Sequence, residues 1–179
     1  MRAFIAIDIE NPEIVKKMEE LGKKLAKVTE VKLVKPENMH ITLKFLGEIR
    51  EETADEILQR LRDACAGFGR FEVNVRGTGG FPSDGRARVV WVGAEAPEIY
   101  PLKRIIDAVL KDFGFAPDRD FVSHITIARV KGDWKMAGKF VREFKNFEGG
   151  KFTARSVKLK QSILTGEGPI YRNIGEVEL

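Results

Sequence analysis

Both histidines of this 179-residue chain head the same short pattern, His40-Ile41-Thr42-Leu43 and His124-Ile125-Thr126-Ile127. With 7 threonines and 15 isoleucines available, that repetition has a chance probability on the order of 10⁻⁵, whereas one His-x-Thr would carry little weight. Two imidazoles, one neutral and one protonated near neutral pH, suit the opening of a phosphodiester. One takes a proton from water and the other protonates the departing alkoxide. In-line displacement puts nucleophile and leaving group on opposite sides of phosphorus, so acid and base are expected from opposite walls of a cleft. The Thr42 and Thr126 hydroxyls are then expected to donate to the non-bridging oxygens, where charge rises in the transition state.

The elements that must hold these groups are strands. MHITLKFL and FVSHITIARV alternate apolar and polar residues, so each His shares a face with its Thr while the intervening Ile points to a core. Parity also puts Lys44 on the face of His40 and Thr42, as a phosphate contact or a solvated surface lysine. Arg129 falls on the opposite face of a regular strand from His124 and reaches a phosphate only from the strand end or across a bulge.

Other chemistries find less support. There is no HExxH-type, His-rich or Cys-rich cluster, so neither a metal nor another cofactor is expected. Ser123 adjoins His124 but projects to the opposite face, and the single cysteine, Cys65, falls on the apolar side of a helix as core filler. The segments GTGG and GEG read as hairpin turns and not as phosphate-cradling loops.

Asn11-Pro12-Glu13 opens a helix predicted over 11–28, and further helices are predicted near 51–66, 98–113 and around Phe140. Strands are expected at 31–34, 40–46 and 121–130, in FEVNVRG and RARVVWVGA joined by a GTGGFPSDG turn, and in FTARSVKLKQSIL and IYRNIGEVEL. The two His lie 84 residues apart, near half the length, each in a strand that follows a helix. The pattern predicts a single α+β domain over 1–179. Its two pseudo-symmetric lobes, each an antiparallel sheet backed by helices, flank a central cleft.

A hydrophobic share of 43 % and a charged share of 32 % fit a soluble globular chain. The formal charge of +4 is only mildly basic and supports solubility as well as polyanion binding. MRAFIAIDIE reads as a first strand and not a signal peptide, and no apolar run approaches a membrane span. A cytoplasmic monomer without membrane contact is the default expectation.

These residues resemble the two-histidine phosphoesterase superfamily, and within it the RNA 2′,3′-cyclic phosphodiesterases, also known as 2′-5′ RNA ligases. The resemblance is carried by RAFIAIDI, NMHITLKFLGE, GGFPSDGRARVVWVG, HITIAR and LTGEGPIYRNIGEVEL, and so spans the chain. It implies hydrolysis of RNA 2′,3′-cyclic phosphate ends to 2′-phosphates, with reversible 2′-5′ joining of tRNA halves as the same reaction run backwards. It further implies His40 as proton donor to the leaving 3′ oxygen, His124 as acceptor from water, and Thr42, Thr126 and Arg129 as phosphate ligands. Phe45, Phe81, Trp91 and Tyr171 are available to stack a base or to pack the core. Ser123 departs from the family, which commonly has Pro before the second His. A related enzyme for another cyclic or 2′-5′ phosphodiester, and a module that binds RNA or a nucleotide without turnover, remain the competing readings.

Overall fold

Asn11 starts the first helix as its sequence predicts: its Oδ1 accepts from the backbone N–H of Glu13 (3.0 Å) and Ile14 (3.2 Å), with Pro12 at the first helical position. In the computed structural model, which describes all 179 residues, this helix is α1 (Pro12–Ala26). The other helices are α2 (Glu51–Cys65), α3 (Ile99–Lys111) and α4 (Trp134–Glu143). Asp133 caps α4 by accepting from Lys135 and Met136 N–H. The strands are β1 (Arg2–Asp8), β2 (Val31–Leu33), β3 (His40–Glu48), β4 (Phe71–Ser83), β5 (Arg86–Glu95), β6 (His124–Val130), β7 (Glu148–Ala154), β8 (Ser156–Thr165) and β9 (Gly168–Glu178).

The strands pair antiparallel in the order β7-β4-β5-β6-β3-β1-β8-β9, with β2 added to β6. Two lobes are visible in this path. One holds β1, β3, β8 and β9 with α2 behind β9 and α3 against α2; the other holds β4 to β7, with α1 and α4 behind them. The lobes meet at a single antiparallel bridge, Ile41 opposite Ile125, so the expected pair of sheets is one continuous sheet with a narrow seam. The halves also interleave. Strand β4, from the first half of the chain, completes the second lobe, and β8 and β9, from the second half, complete the first.

The apolar residues beneath the two motifs anchor the seam. Ile41 and Ile125 have no exposed surface, and Leu43 and Ile127 have 1 %. Each contributes roughly 1.5–3 kcal/mol by leaving water. Cys65 is a free, buried thiol on α2, as expected of core filler.

Two segments differ from the sequence reading. Gly77 to Ser83 do not form the β4–β5 turn; they extend β4, and the turn is only Asp84-Gly85. Composition misleads here because the glycines serve close packing. The Trp91 ring lies over Gly79, where a Cβ would come within 2.2 Å of it. FTARSVKLKQSIL divides at Arg155, so that β7 pairs with β4 in one lobe and β8 with β1 in the other.

Candidate active site

Strands β3 and β6 run antiparallel past each other at the seam, and their first seven residues share one burial pattern. His40, Thr42, His124 and Thr126 are half-buried and line one cleft of about 890 Å³. The bridge between Ile41 and Ile125 sets His40 level with Thr126 and His124 level with Thr42. The two His-x-Thr units are thus brought together head to tail on one surface.

Each imidazole is fixed by the backbone two residues before it. His40 Nδ1 lies 2.7 Å from the Asn38 carbonyl oxygen, and His124 Nδ1 lies 2.6 Å from that of Val122. A carbonyl only accepts, so both Nδ1 atoms carry hydrogen and Nε2 is the atom left for proton transfer. His40 Nε2 is 2.8 Å from Thr42 Oγ1, which donates to it while the ring is neutral. Aromatic rings bracket both. Phe4 and Tyr171 lie 5.0 and 5.3 Å from His40 by centroid, and Phe81 and Trp91 lie 5.0 and 5.6 Å from His124.

Burial is the main cause of the electrostatics. It holds the His40 pKa down at about 4, with the Lys160 ammonium and His124 pushing the same way, against the Asn38 carbonyl and Asp8. Burial also lowers the His124 pKa, opposed by the Val122 carbonyl. Lys160 and Lys158 both bond to Asp8, the residue opposite His40 on β1. Burial opposes ionisation of Asp8, but these two ammoniums hold its pKa below the usual value. Both imidazoles are therefore largely neutral at pH 7.

Strand parity fails one residue beyond each Thr. Ile5 and Ala6 pair with Lys44 and Thr42, leaving Leu43 as an extra residue; Val90 and Trp91 pair with Ala128 and Thr126, leaving Ile127 extra. Each bulge shifts the side chains that follow it to the other face, until in β3 a second extra residue, Leu46, reverses the shift. Arg129 is therefore exposed in the cleft and not on the far side where regular alternation puts it. Lys44 also lines the cleft, but it is 6 % exposed and its ammonium is bound by the Ala116 carbonyl (2.5 Å) and the Asp118 carboxylate (3.1 Å). The same displacement brings Phe45, 73 % exposed, into the cleft as the counterpart of Arg129, each five residues after its His.

Of the four aromatics available for stacking, Phe81, Trp91 and Tyr171 hold imidazoles, and Phe45 alone presents an open ring. Sequence reasoning missed Phe4 and Asn38. The Asn38 side chain donates to Pro169 O (3.1 Å) while its carbonyl holds His40, tying the β8–β9 turn to the imidazole. Neither residue has a sequence signature, since Phe4 looks like core and any residue supplies a carbonyl. Ser123, at the position of the family's proline, donates to Ala94 O (2.6 Å) and so pins the start of β6 to β5. No group of three or more His, Cys, Asp or Glu is arranged to hold a metal ion, and no helix is long and apolar enough to cross a membrane.

Comparison with known proteins matches the chain twice to the family described as LigT-like phosphoesterase, over residues 7–91 and 92–171. It is 41 % identical to an Archaeoglobus fulgidus protein named RNA 2′,3′-cyclic phosphodiesterase, covering 97 % of this chain and 98 % of that one. A Methanothermobacter thermautotrophicus protein of the same name is 38 % identical, with 97 % and 96 % covered. Among solved structures, a Thermus thermophilus protein superposes with a TM-score of 0.85 at 28 % identity, over 100 % of this chain and 98 % of that one. E. coli LigT crystallised with 3′-AMP gives 0.77 at 22 % identity, over 99 % and 97 %, and shares the two-lobed fold.

Proposed function

This chain belongs to the LigT-like phosphoesterase family, and on that premise we propose that it hydrolyses RNA 2′,3′-cyclic phosphate ends to 2′-phosphates. The observation that carries this reading is the pair of carbonyl-anchored imidazoles, each offering Nε2 to one cleft from one side of the seam. The shared name of two relatives at 38 % and 41 % identity supports the substrate class.

In the proposed reaction His124 Nε2 takes a proton from water as the oxygen attacks phosphorus. The P–O3′ bond breaks, and His40 Nε2 delivers its proton to O3′. His124 leaves the cycle protonated and His40 neutral, and exchange with solvent restores both. Thr42, Thr126 and Arg129 hold the non-bridging oxygens. Protonation of His40 prepares Thr42 for this. Once Nε2 is protonated it no longer accepts from Oγ1, and the hydroxyl hydrogen is freed for a phosphate oxygen. Lys44 has no part in this grip, because its ammonium is spent on Ala116 and Asp118. Joining RNA ends through a 2′-5′ bond, as with tRNA halves, is the reverse reaction with a 5′ hydroxyl in place of water.

The test is incubation with a short RNA ending in a 2′,3′-cyclic phosphate, followed by mapping of the terminal phosphate by phosphatase sensitivity and mass. A 2′-phosphate is expected, with undiminished turnover in EDTA. His40→Ala and His124→Ala are each expected to lower the rate by roughly 10²–10⁴. Activity that disappears in chelator and returns with zinc would overturn the reading.

A further inference from the structure

The cleft has two ends of unequal charge. At the Phe45 end, Arg2, Lys44 and Arg119 are accompanied by Asp118 and Asp120. At the end formed by β2 and the β8–β9 turn, Lys32, Lys35, Arg129 and Lys131 face a single carboxylate, Glu167. None of these four cations is in an ion pair; at the other end Lys44 is paired with Asp118, while Arg2 and Arg119 are unpaired.

Register sharpens this. Lys32 on β2 lies directly opposite Arg129 on β6, between the apolar pairs Val31–Val130 and Leu33–Ala128. Like charges directly opposite on neighbouring strands repel at a Cβ separation of roughly 5 Å, and no side chain neutralises this pair. The Lys32 stem reaches across to the turn. Its Nζ would stand 3.5 Å from a Cβ built on Gly168, so the ammonium overhangs the cleft between β2 and β9. Arg129 is three residues beyond Thr126, roughly 8–10 Å of strand, and Lys32 lies one strand further out. That places Lys32 beyond an anion gripped by the two threonines, where a second one would sit.

We infer that this end of the cleft is a second phosphate subsite, in which Lys32 binds the internucleotide phosphate one step 5′ of the reacting one. The inference rests on the cyclic phosphodiesterase reading for the polarity of the strand. An RNA whose last phosphate lies between the imidazoles must leave the cleft at one end, and the larger excess of cations over carboxylates, four to one against three to two, selects this one. A lysine suits the role, because an ammonium is a strongly hydrated point charge that takes a phosphate oxygen without demanding bidentate geometry. The subsite makes an RNA chain, and not a mononucleotide, the preferred substrate.

The test compares adenosine 2′,3′-cyclic phosphate, which has no second phosphate, with a diadenylate ending in the same group. The parent is expected to favour the dinucleotide in kcat/KM. Lys32→Gln is expected to lower kcat/KM for the dinucleotide about tenfold, the loss of one charge-assisted contact, and to leave the mononucleotide within about twofold. The slope of log kcat/KM against log salt for the dinucleotide should shrink by about 0.7, as for one phosphate contact on a single strand, and Lys32→Arg should restore most of it. Equal losses on both substrates, or a parent that does not distinguish them, would overturn the subsite. If the parent turns over neither substrate, the catalytic reading fails by itself. Fluorescence anisotropy with a diadenylate carrying a 2′-phosphate then decides the subsite, for which Lys32→Gln must weaken binding about tenfold.

Discussion

Filling the cleft with an anion should reverse the charge state of His40. Burial holds its pKa at about 4, against an ordinary value of 6.5. At about 1.36 kcal/mol per unit, that is a preference of roughly 3 kcal/mol for the neutral ring. A phosphate bearing one negative charge about 4 Å from the ring offsets this by about 4 kcal/mol at an effective dielectric constant of about 20, or some three pKa units. His40 should then titrate near neutrality, where a proton donor works best. Because the bound form takes up a proton, affinity for a nucleoside 2′-monophosphate should strengthen as pH falls from about 7 and level off below about 4. The chain has only two imidazoles, so nitrogen-detected NMR titration resolves both, with a His40→Gln variant giving the assignment. A free-state His40 titrating near 6.5, or one that does not move when the cleft is saturated with the nucleotide, would refute the reasoning.

Four further outcomes follow from the same geometry. Because the folded pKa of His40 lies below its unfolded value, its contribution to stability is present above pH 6.5 and is lost as pH falls toward 4; urea unfolding at about pH 7 and about pH 4.5 should show the parent losing roughly 2–3 kcal/mol more than His40→Gln. Gly79→Ala forces the Trp91 ring off its seat beside His124, so unfolding midpoints should drop by about 1–3 kcal/mol and turnover should fall with them; unchanged activity would show that Trp91 does not orient the imidazole. Asn38→Ala removes the bond to Pro169 O, worth about 0.5–1.5 kcal/mol, and steady-state kinetics should show KM rising more than kcat falls. Lys44→Met should change kcat less than about threefold, whereas a loss on the order of 10² would restore Lys44 as a phosphate contact.

The His-x-Thr pair was legible because its meaning needs only residue type, spacing and strand alternation. The α1 cap, the helical stripes and Cys65 were legible for similar local reasons. Alternation stopped being informative at Leu43 and Ile127, since a bulge depends on the partner strand and leaves no periodic trace. That one mechanism brings Arg129 into the cleft, across a bulge that alternation alone could only name as a possibility. The aromatic brackets come from β1, β4, β5 and β9, which only the tertiary fold brings beside the histidines. The GTGG segment misled because glycine that admits a neighbouring tryptophan is indistinguishable by composition from glycine that turns a hairpin. Lys32 has no sequence signature, because its register opposite Arg129 is set by the pairing of distant strands.

The counterparts Phe45 and Arg129 carry a consequence for directionality. A groove with perfect twofold symmetry would accept a phosphodiester in two equivalent poses, related by half a turn, and could not tell which imidazole should give a proton and which should take one. An aromatic ring on one flank and a guanidinium on the other abolish that degeneracy. The cleft thereby acquires a head and a tail that a symmetric groove would lack.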